Sequence, residues 1–436
     1  MKDIVNTEMF YFTGEDKFIY IYFPIRGYAV KTSMKNNFLV EKLSQRFFLN
    51  ENEYRHPLIT ELREKGLLGE KLKSSPDIQD LEEFRPIEAT LLLTESCNLS
   101  CSYCYANAST SKYPPMTREI AKASIDLVIE NAKNHKNKTA EFRFLGGGEP
   151  TLEWVLIEWA THYIRFQADL NGIRCWIRLI TNGILINDKK AFWISKHIDY
   201  VTLSCDILPE LQANRSFPNG KSSHKSVMRA ARNLCKYNIP CHFRTTISFN
   251  AVARLTEMVE YTHKYTDIKT IRFEPMAEIG RASDNSMSKP AQQEFVNAFI
   301  AAYQLGKQYG IFVTCKMMSN ISRRSTRFCN IEFSITSEGN VAGCHRYSLK
   351  KNAGFDFYHV GAWNGRKFDF DIEKINALRR IDARVFPQCN TCFAKWNCAS
   401  GCLSARMEKG KISQVGPLCH LTKELLKFSI IEALNA

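Results

Sequence analysis

The segment that decides the fold is Thr94-Glu95-Ser96-Cys97-Asn98-Leu99-Ser100-Cys101-Ser102-Tyr103-Cys104-Tyr105. Its cysteines, Cys97, Cys101 and Cys104, are separated by three and by two residues. Thiolates suit iron, and three of them leave one iron of a four-iron cube without a protein ligand. A structural zinc site prefers four ligands, and no fourth Cys or His lies nearby. The apolar run 87–93 indicates a buried strand, so the cysteines are expected on the loop at its C-terminal end.

The composition is typical of a globular protein with two or three domains, since the chain has 436 residues of which 44% are hydrophobic. We expect a cytoplasmic protein without a membrane partner, because there is no run of about 18 apolar residues and no signal peptide. Fifteen cysteines in such a chain indicate metal rather than disulfides. The net charge of +14 predicts a solvated surface, with an acidic peptide as the alternative partner. No nucleic-acid motif is present, so no nucleic-acid partner is expected.

Residues 1–75 form a separate unit by pattern. Aromatic and branched residues over 18–23 and 27–31 indicate strands. Helices are predicted over 38–48, with Phe38, Leu39 and Leu43 on one face, and over 57–65. Strands followed by short helices predict a small winged-helix-like module, and the alternative is a cap that shields the next domain. Residues 76–86 are predicted to be a linker.

From residue 87 the chain alternates strands and helices. Helical patterns lie near 117–128, where Thr117 can cap the helix, and at 152–170, 222–237, 250–265 and 290–309. Six β/α units predict a parallel sheet curled into part of a barrel, and an α/β sandwich is the alternative. The predicted strands are 87–93, 140–145, 175–180, 200–205, 240–248 and 270–273.

Polar or glycine-rich residues follow these strands. Gly146-Gly147-Gly148-Glu149-Pro150 comes after the second strand, where glycines allow a ligand close to the backbone and a carboxylate can pair with an amine. Thr181-Asn182-Gly183 follows the third strand and is otherwise a simple turn. Ser204-Cys205-Asp206 ends the fourth strand, with Cys205 expected to be a small buried hydrophobe. Arg244, on the fifth strand, can bind a carboxylate in bidentate fashion or form a structural ion pair.

Seven further cysteines lie near the C-terminal end of the chain. Nine residues separate Cys329 from Gly339, and four residues separate Gly339 from Cys344. A second group begins with a C-x2-C pair and ends far downstream. A double zinc ribbon is one interpretation of such a series. The second group comprises Cys389, Cys392, Cys398, Cys402 and Cys419.

The C-x3-C-x2-C loop, with an aromatic residue before its third cysteine, resembles that of the radical S-adenosylmethionine (SAM) enzymes. The C-terminal series closely resembles the SPASM domain of such enzymes. The resemblance covers residues 87–430. It implies a partial (β/α)6 TIM-like barrel over 87–312 and a SPASM domain over 313–436. The N-terminal unit resembles the peptide-recognition domain fused to many peptide-modifying radical enzymes.

The resemblance implies SAM and three 4Fe–4S clusters as cofactors. Cys97, Cys101 and Cys104 would hold the SAM-binding cluster. Glu149 with its two preceding glycines would meet the methionyl ammonium, Ser204 the ribose, Arg244 the carboxylate, and the segment 273–281 the adenine. The SAM-binding residues implied are Tyr103, Gly147, Gly148, Glu149, Thr181, Asn182, Ser204 and Arg244.

The family also implies the ligands of two auxiliary clusters. Cys329, Cys344 and Cys402 would hold the inner one. Some relatives supply a fourth inner ligand six residues before the Cys329 position, where this chain has Arg323, which cannot ligate; Cys315 is the substitute considered. The outer cluster would be held by Cys389, Cys392, Cys398 and Cys419.

These implications predict an enzyme that oxidatively modifies a ribosomally made precursor peptide by cross-linking side chains through a carbon–carbon, ether or thioether bond. Its partners would be a precursor peptide with a leader segment and an electron donor such as a flavodoxin or ferredoxin. One alternative is an anaerobic sulfatase maturase, although those enzymes place an aspartate general base where His345 stands; we expect a catalytic or structural role for His345. Alternatives of another class are an iron–sulfur electron carrier and a zinc-stabilised binding protein.

Overall fold

The computed structural model describes residues 5, 7–69, 79–109, 113–285, 287–321, 324–408 and 410–435. The chain is a mixed α/β protein with one large, mostly parallel sheet. A three-stranded antiparallel sheet precedes it in the sequence, and a two-stranded ladder lies near the C-terminal end. In the described part of the chain, no helix is long and apolar enough to cross a membrane.

The N-terminal unit is a three-stranded sheet covered by short helices. The strands β1 to β3 pair in that order, and all pairs are antiparallel. One face of β2 contributes Ile19, Ile21 and Phe23 to a core that also contains Leu39 and Leu62 of the helices. The elements are β1 Phe10–Thr13, β2 Phe18–Phe23, β3 Tyr28–Ser33, α1 Asn37–Ser44, α2 Glu51–Tyr54 and α3 Pro57–Glu64.

Both strands and both helices predicted for this unit are confirmed, but one face was assigned wrongly. Phe38 was expected beside Leu39 and Leu43 in the core, yet 55% of its surface is exposed. Val40 is buried with Leu39 and Leu43 instead. The sequence pattern also missed β1 and α2, because a strand or helix of four residues has too few positions to show a period.

The other face of the small sheet packs on the C-terminal region. Tyr20 and Tyr22 are buried against Leu426 and Ile430 of the last helix. The Tyr22 hydroxyl donates a 2.8 Å hydrogen bond to Asn397 Oδ1, next to Cys398. The N-terminal unit is therefore in direct contact with the cysteine-rich end of the chain.

The central part of the chain alternates strands and helices as predicted. All six predicted strands are confirmed to within two residues, and the Thr117 side chain accepts a hydrogen bond from Ile120 N (3.3 Å) at the start of α4. A seventh parallel strand, β10, was missed because it has three residues. The elements are β4 Glu88–Leu92, α4 Arg118–Lys133, β5 Thr139–Leu145, α5 Trp154–Leu170, β6 Arg174–Thr181, α6 Asp188–His197, β7 Tyr200–Ser204, α7 Pro209–Gln212, α8 His224–Lys236, β8 Cys241–Ile247, α9 Leu255–Tyr265, β9 Thr270–Pro275, α10 Arg281–Asp284, α11 Gln292–Tyr309 and β10 Phe312–Thr314.

The C-terminal part is built mostly from short elements. Its longest helix is α16 Cys419–Asn435, which packs beside α11 and α12. The other elements are α12 Lys316–Ile321, β11 Ser334–Ile335, β12 Asn340–Ala342, α13 Phe355–Tyr358, β13 His359–Trp363, β14 Phe368–Phe370, α14 Ile372–Arg380, α15 Lys395–Cys398, β15 Met407–Glu408 and β16 Lys411–Ile412.

The C-terminal strands extend the large sheet. The strand order is β10-β9-β8-β7-β6-β5-β4-β11-β12-β13-β14, in which β11 is parallel to β4 and β12 to β14 are antiparallel. Two parts that the sequence divided at residue 312 therefore share one continuous sheet. The consequence for the site is that β4, which carries the cysteine loop, lies inside the sheet between them.

Residues 79–86, the described part of the predicted linker, are held by the C-terminal part. Both backbone polar groups of Leu81 bond the Asn376 side chain at 2.9 Å. Phe84 is buried and packs edge-on against Phe370, with ring centroids 5.2 Å apart. The described part of this segment is thus fixed against the C-terminal part.

Candidate active site and cysteine clusters

The loops that follow β4 and β5 are bound to each other. Gly148 N donates to Thr94 O (2.9 Å), and Glu149 N donates to Ser96 O (2.8 Å). A Cβ atom on Gly148 would lie 1.9 Å from Ser96 O, so only glycine permits this approach. The predicted glycine motif is therefore packed directly against the cysteine loop.

Glu149 connects the ends of β5 and β6. Its carboxylate accepts hydrogen bonds from the hydroxyls of Thr151 and Thr181, both at 2.6 Å, and from the backbone of Thr151 (3.1 Å) and Asn182 (2.8 Å). Burial raises the pKa of Glu149, and the bonded groups oppose this shift. Four protein donors thus fix the predicted ammonium ligand in place, together with predicted Thr181 and Asn182.

Cys97, Cys101 and Cys104 are brought together by the loop after β4. Burial raises the pKa of the Cys97 thiol to about 12 and that of Cys101 to about 11, and each of these thiols is influenced by the Cys104 thiol. The Asn182 amide reaches Cys97 Sγ at 3.9 Å. Metal binding at Cys97 and Cys101 would therefore displace their protons, because burial disfavours the thiolate at both.

Tyr103 is held by a buried ion pair. Its hydroxyl donates to Asp206, directly beyond β7, and the Arg215 guanidinium lies 5.1 Å from the centre of its ring. Arg215 Nε and Asp206 Oδ1 are 3.0 Å apart, with side chains only 10% and 3% exposed. The predicted SAM-binding aromatic therefore has both its ring and its hydroxyl fixed.

The segment after β9 closes over the cysteine loop. Arg281 donates to the carbonyl of Cys101 (2.7 Å) through its guanidinium and to that of Cys104 (2.9 Å) through its backbone. Gly280 has φ +57, and a Cβ there would lie 2.5 Å from the carbonyls of Cys104 and Tyr105. The structure thus brings the end of 273–281, expected near the adenine, against the predicted cluster loop.

Ser204 and Arg244 are paired in register across β7 and β8. Both are half-buried, and Arg244 lies beside Glu274, Arg272 and Arg346. Burial lowers the pKa of the Arg244 guanidinium, and nearby Glu274 opposes the shift. Gly147 lies on the same edge, where a Cβ would contact the Leu349 side chain at 3.1 Å. The predicted SAM-binding residues therefore lie at the edge of the sheet where the parallel strands end.

Buried polar atoms without a partner mark this edge as a site for a further group. Among the described residues, Asn98 Nδ2 and the Tyr105 hydroxyl are buried without a hydrogen-bond partner. Both residues adjoin cluster cysteines in the sequence. Because folded proteins rarely leave buried polar atoms unpaired, this pattern fits a cofactor that contacts the cysteine loop.

Cys329, Cys344 and Cys402 line one cavity between the sheet and the C-terminal loops. The cavity encloses about 600 Å³, part of which is open to solvent. Although burial raises the pKa of Cys402, the cationic side chains of Lys316 and Arg346 outweigh it and hold this pKa below its usual value. Burial instead raises the pKa of Cys329 to about 11 and that of Cys344 well above its usual value, so the cavity brings the predicted inner set together but favours the thiolate only at Cys402.

A second cavity of about 320 Å³ is lined by Cys398 and Cys419 of the predicted outer set, and by Cys402. The thiols of Cys419, Cys392 and Cys389 all lie close enough to Cys398 to raise its pKa further, after burial, to about 12. The structure therefore brings the predicted outer set together as well.

A left-handed turn separates the two cavities. Ala399, Ser400 and Gly401 have φ values of +47, +68 and +75, a conformation that is strained for the first two. Ser400 and Gly401 border both cavities. The turn places Cys398 beside the outer cavity and Cys402, four residues later, where it also lines the inner one.

The substitute inner ligand that the sequence offered lies elsewhere. Cys315 is fully buried at the end of β10, near Glu274 and Arg272, and does not line the inner cavity. Arg323 lies outside the described residues. In the described part of the chain, no three His, Cys, Asp or Glu side chains converge on one point as the ligands of a single ion do; a cube takes each cysteine on a different iron.

His345 is paired with Glu332. Its Nδ1 lies 2.9 Å from Glu332 Oε2, and its backbone N donates to the same oxygen (2.8 Å). Burial raises the pKa of Glu332, but His345 outweighs this effect and lowers the pKa well below its usual range. The ring of His345 stands edge-on to that of Tyr105, with centroids 6.2 Å apart. His345, for which a catalytic or structural role was expected, is thus oriented by a carboxylate and faces Tyr105 of the cysteine loop.

Four residues that organise the site carried no predicted role of their own, namely Asp206, Arg215, Arg281 and Glu332. Asp206 was quoted in its motif, and its buried pair with Arg215 lies nine residues away, beyond any short pattern. Arg281 was quoted as the end of the segment after β9. Glu332 had no signal, because its position beside His345 depends on how β11 and β12 pair.

Comparison with known proteins identifies the central part of the chain. Residues 91–256 match the family model of the Radical SAM superfamily. This segment is a radical SAM domain. The chain is therefore an enzyme, and the domain implies SAM and a 4Fe–4S cluster as cofactors.

Relatives of this radical SAM enzyme include peptide and protein maturases. It is 23% identical over 372 residues to the cysteine-type anaerobic sulfatase-maturating enzyme of Clostridium perfringens, covering 78% of this chain and 95% of that protein. It is 27% identical over 212 residues to the sporulation killing factor maturation protein SkfB of Bacillus subtilis, covering 49% and 47% of the two chains.

Solved structures show the same fold. Native anSMEcpe with bound AdoMet aligns with a TM-score of 0.65 and 20% identity, covering 80% of this chain and 100% of that one. Streptococcus suis SuiB bound to precursor peptide SuiA aligns with a TM-score of 0.51 and 12% identity, covering 96% and 100%. The large parallel-rich sheet is consistent with the TIM-like fold of radical SAM enzymes, of which the partial barrel is a finer description.

Proposed function

We propose that this radical SAM enzyme oxidatively cross-links side chains of a ribosomally made precursor peptide, whose leader segment is held by the N-terminal unit. The observation that carries the proposal is this unit, which has a core of its own yet exposes apolar side chains and packs on the cysteine-rich region. The SuiB structure with a precursor peptide aligns over 96% of the chain, whereas anSMEcpe aligns over 80%.

At the sheet edge, the cysteines of the loop after β4 would hold a 4Fe–4S cluster, with Glu149, Ser204 and Arg244 toward SAM. Together these cofactors supply a 5′-deoxyadenosyl radical, which abstracts a hydrogen atom from an unactivated carbon. The chain fixes the surroundings through the four bonds to Glu149 and the Tyr103–Asp206 contact, so the reacting groups meet in one geometry.

We assign residues 313–436 to a SPASM domain, whose two cavities would each hold an auxiliary 4Fe–4S cluster. Cross-linking removes two hydrogens from the peptide: one leaves as an atom, the other as a proton, and one electron must also leave the site. The inner cavity lies next to the SAM-binding edge, since Arg346 lines it and also influences the pKa of Arg244. An electron acceptor there suits an oxidative modification, and a flavodoxin or ferredoxin is the proposed donor to the first cluster.

Exposed apolar side chains support leader binding by the N-terminal unit. Met34 directly follows β3 and is 44% exposed, and Phe38 in the next turn is 55% exposed. Phe47 and Phe48 are also more than half exposed. Such a concentration is typical of a binding surface. The edge strands β1 and β3 each pair with β2 alone among the described strands, which leaves an edge for an added peptide strand.

Some basic side chains of this unit are neutralised by carboxylates and contribute little to the attraction of an acidic leader. Lys31 is paired with Asp16 (2.9 Å) and Lys42 with Glu53 (2.6 Å). Lys35 and Arg46 have no carboxylate partner among the described residues. These two therefore remain available for long-range attraction of an acidic leader, together with other exposed cations of the unit such as Lys17, Arg55 and Lys65.

Sulfatase maturation is the second candidate, because the aligned region of the Clostridium perfringens maturase covers 95% of that protein. The residue after Cys344 distinguishes the two. Where sulfatase maturases have an aspartate base, this chain has His345 held by Glu332. The first 69 residues also add a unit with its own core.

The deciding experiment offers the reduced, reconstituted enzyme two peptides under anaerobic conditions. One is a short peptide encoded next to the gene of this chain, as the candidate precursor. The other carries a cysteine-type sulfatase site. Cross-linking appears in mass spectra as loss of two hydrogens per bond, whereas formylglycine formation replaces the cysteine thiol by an aldehyde. Formylglycine with no change in the precursor peptide would overturn the proposal.

Leader binding is tested by reversing the charge of Lys35 and Arg46, which have no carboxylate partner among the described residues. Lys35→Glu with Arg46→Glu should weaken binding of a labelled acidic leader severalfold at low salt, and the difference should shrink at high salt because exposed charges are screened. Lys225→Glu, on the exposed face of α8, is the control for charge. Fluorescence anisotropy measures the affinities. Equal weakening by the Lys225 variant would mean that the attraction is not local.

Truncation tests the unit as a whole. A chain that begins near residue 79 should keep its iron and its uncoupled cleavage of SAM, but lose tight leader binding. Modification of full-length peptide as efficient as that of the intact chain would reduce the unit to a cap.

A further inference from the structure

The inner cavity contains hydrogen-bond donors that the protein itself does not satisfy. Tyr358, at the end of α13, is only 3% exposed, and its hydroxyl is buried without a hydrogen-bond partner among the described residues. Arg327 Nη1 is in the same state. Both residues line the cavity that Cys329, Cys344 and Cys402 share. A buried polar atom without a partner is costly, so two of them beside one cavity indicate acceptors that fill it.

The position of the Tyr358 hydroxyl is fixed by packing. Its ring stacks on Tyr347, with centroids 5.5 Å apart and planes 9° from parallel, and Phe357 meets it edge-on at 4.9 Å. The hydroxyl therefore cannot swing away to find a partner elsewhere without disturbing this aromatic group. Tyr347 differs from Tyr358 because its own hydroxyl already donates to Ser404 O (3.3 Å).

The Tyr358 hydroxyl lies among the predicted inner ligands. The thiols of Cys344, Cys402 and Cys329 each interact with it electrostatically, and all four residues line one cavity. All three predicted inner ligands are therefore near this one oxygen. A protonated phenol next to thiolate sulfur is a hydrogen-bond donor.

We propose that Tyr358 donates a hydrogen bond to a sulfur of the inner iron–sulfur cluster and thereby raises the reduction potential of that cluster. Hydrogen bonds to cluster sulfurs stabilise the more negative, reduced state. Arg327 Nη1 is a second donor to the same group. The inference rests on the auxiliary clusters of the proposed function, and it assigns the inner cluster the higher potential that an acceptor of substrate electrons needs.

The test compares Tyr358→Phe with Tyr347→Phe in the full-length, anaerobically reconstituted chain. Each change removes one hydroxyl from one of two stacked rings, so Tyr347→Phe controls for loss of a phenol near the cavity. Iron and sulfide analysis establishes cluster content, and redox titration followed by electron paramagnetic resonance gives the potential of each cluster. Tyr358→Phe should keep all iron and lower the potential of one auxiliary cluster, whereas Tyr347→Phe should leave it unchanged.

The outcomes separate this inference from the proposed function. Full iron content with an unchanged potential in Tyr358→Phe would show that the hydroxyl does not bond the cluster. Loss of the inner cluster's iron in Tyr358→Phe would assign the oxygen to iron and overturn the hydrogen bond. A wild-type chain that holds only one cluster would refute the auxiliary clusters themselves and this inference with them.

Discussion

The strand-end site and the C-terminal cavities gather cysteines in opposite ways. At the strand ends, loops are bound to one another by the protein, as the bonds of Glu149 to Thr181 and Asn182 show. In the C-terminal part, the cysteines lie on short turns, two of them separated by the left-handed residues 399–401. The first site is therefore largely organised by its own hydrogen bonds. Among the described residues, both sites keep buried donors without a partner and left-handed residues, but the second is built from short elements and needs its cofactor to complete it.

Removing each cysteine set should break the comparison most clearly. Replacing Cys97, Cys101 and Cys104 by Ala should abolish formation of 5′-deoxyadenosine, because the SAM-binding cluster is lost. Replacing Cys389 and Cys392 should leave uncoupled cleavage of SAM intact. Complete chains are expected to hold about 12 irons and each variant about eight, since a cube has four. About four irons in the intact chain, unchanged by the second pair of substitutions, would sink the auxiliary assignment.

Iron removal should affect the two regions unequally. After chelation under anaerobic conditions, limited proteolysis should first cut within 382–417, because its described residues add no buried side chain to the main core and its short elements lose the group that joins them. The β/α units over 113–315 should resist longer, since their core is apolar and continuous. Mass spectrometry of the early fragments identifies the sites. First cuts within the β/α units would contradict the idea that only the C-terminal region depends on iron.

The buried ion pair of Arg215 and Asp206, next to Tyr103, should contribute more to the unfolding free energy than exposed ion pairs do. Arg215→Ala leaves Asp206 as an uncompensated buried charge, which should cost about 3–5 kcal/mol of unfolding free energy. Arg254→Ala is the control, because its 2.6 Å pair with Glu257 lies at the surface and should contribute less than about 1 kcal/mol. Urea unfolding measures both. Equal losses in the two variants would deny Arg215 its special role.

Glu149→Gln should weaken cofactor binding while the iron stays. Glutamine keeps the shape of the side chain but removes the negative charge expected to pair with the methionyl ammonium, an interaction worth about 1.5–3 kcal/mol. SAM affinity should therefore drop by roughly tenfold to a hundredfold. Equilibrium binding of SAM to the reconstituted variant gives the ratio. Unchanged affinity would show that Glu149 only supports the loops.

Much of the strand-end site could be predicted because strands and motifs are local in the sequence. The six strands have clear apolar patterns, and each motif directly follows its strand, so the parallel topology brings the motifs to one edge. The pair of Asp206 with Arg215 was not predictable in the same way. It depends on how the loop after β7 folds back, which no period of two or 3.6 residues encodes.

The C-terminal region could be predicted only as spacing. Cysteine intervals indicated two sets, but not that β11 to β14 extend the large sheet or that Cys315 lies away from the inner cavity. Strands of two or three residues carry no pattern, and their pairing is decided by tertiary contacts. The same limit hid Glu332 and Tyr358, whose importance comes from neighbours distant in the sequence.

The smallest expected effect concerns the left-handed turn between the two cavities. At Ala399, φ +47 costs about 1–2 kcal/mol for a residue with a Cβ, and glycine removes that strain. The Ala399 methyl group is buried, so its loss costs roughly 0.8 kcal/mol. Glycine also loses about 0.5–1 kcal/mol more backbone entropy on folding, so Ala399→Gly should change the unfolding free energy by less than about 0.5 kcal/mol. Ala394→Gly is the matched control, because Ala394 is equally buried but has φ −85, where alanine is unstrained. It should destabilise the chain by about 1 kcal/mol or more. Urea unfolding of the iron-loaded chains measures both changes. If both variants lose stability alike, the turn between the two cavities stores no strain.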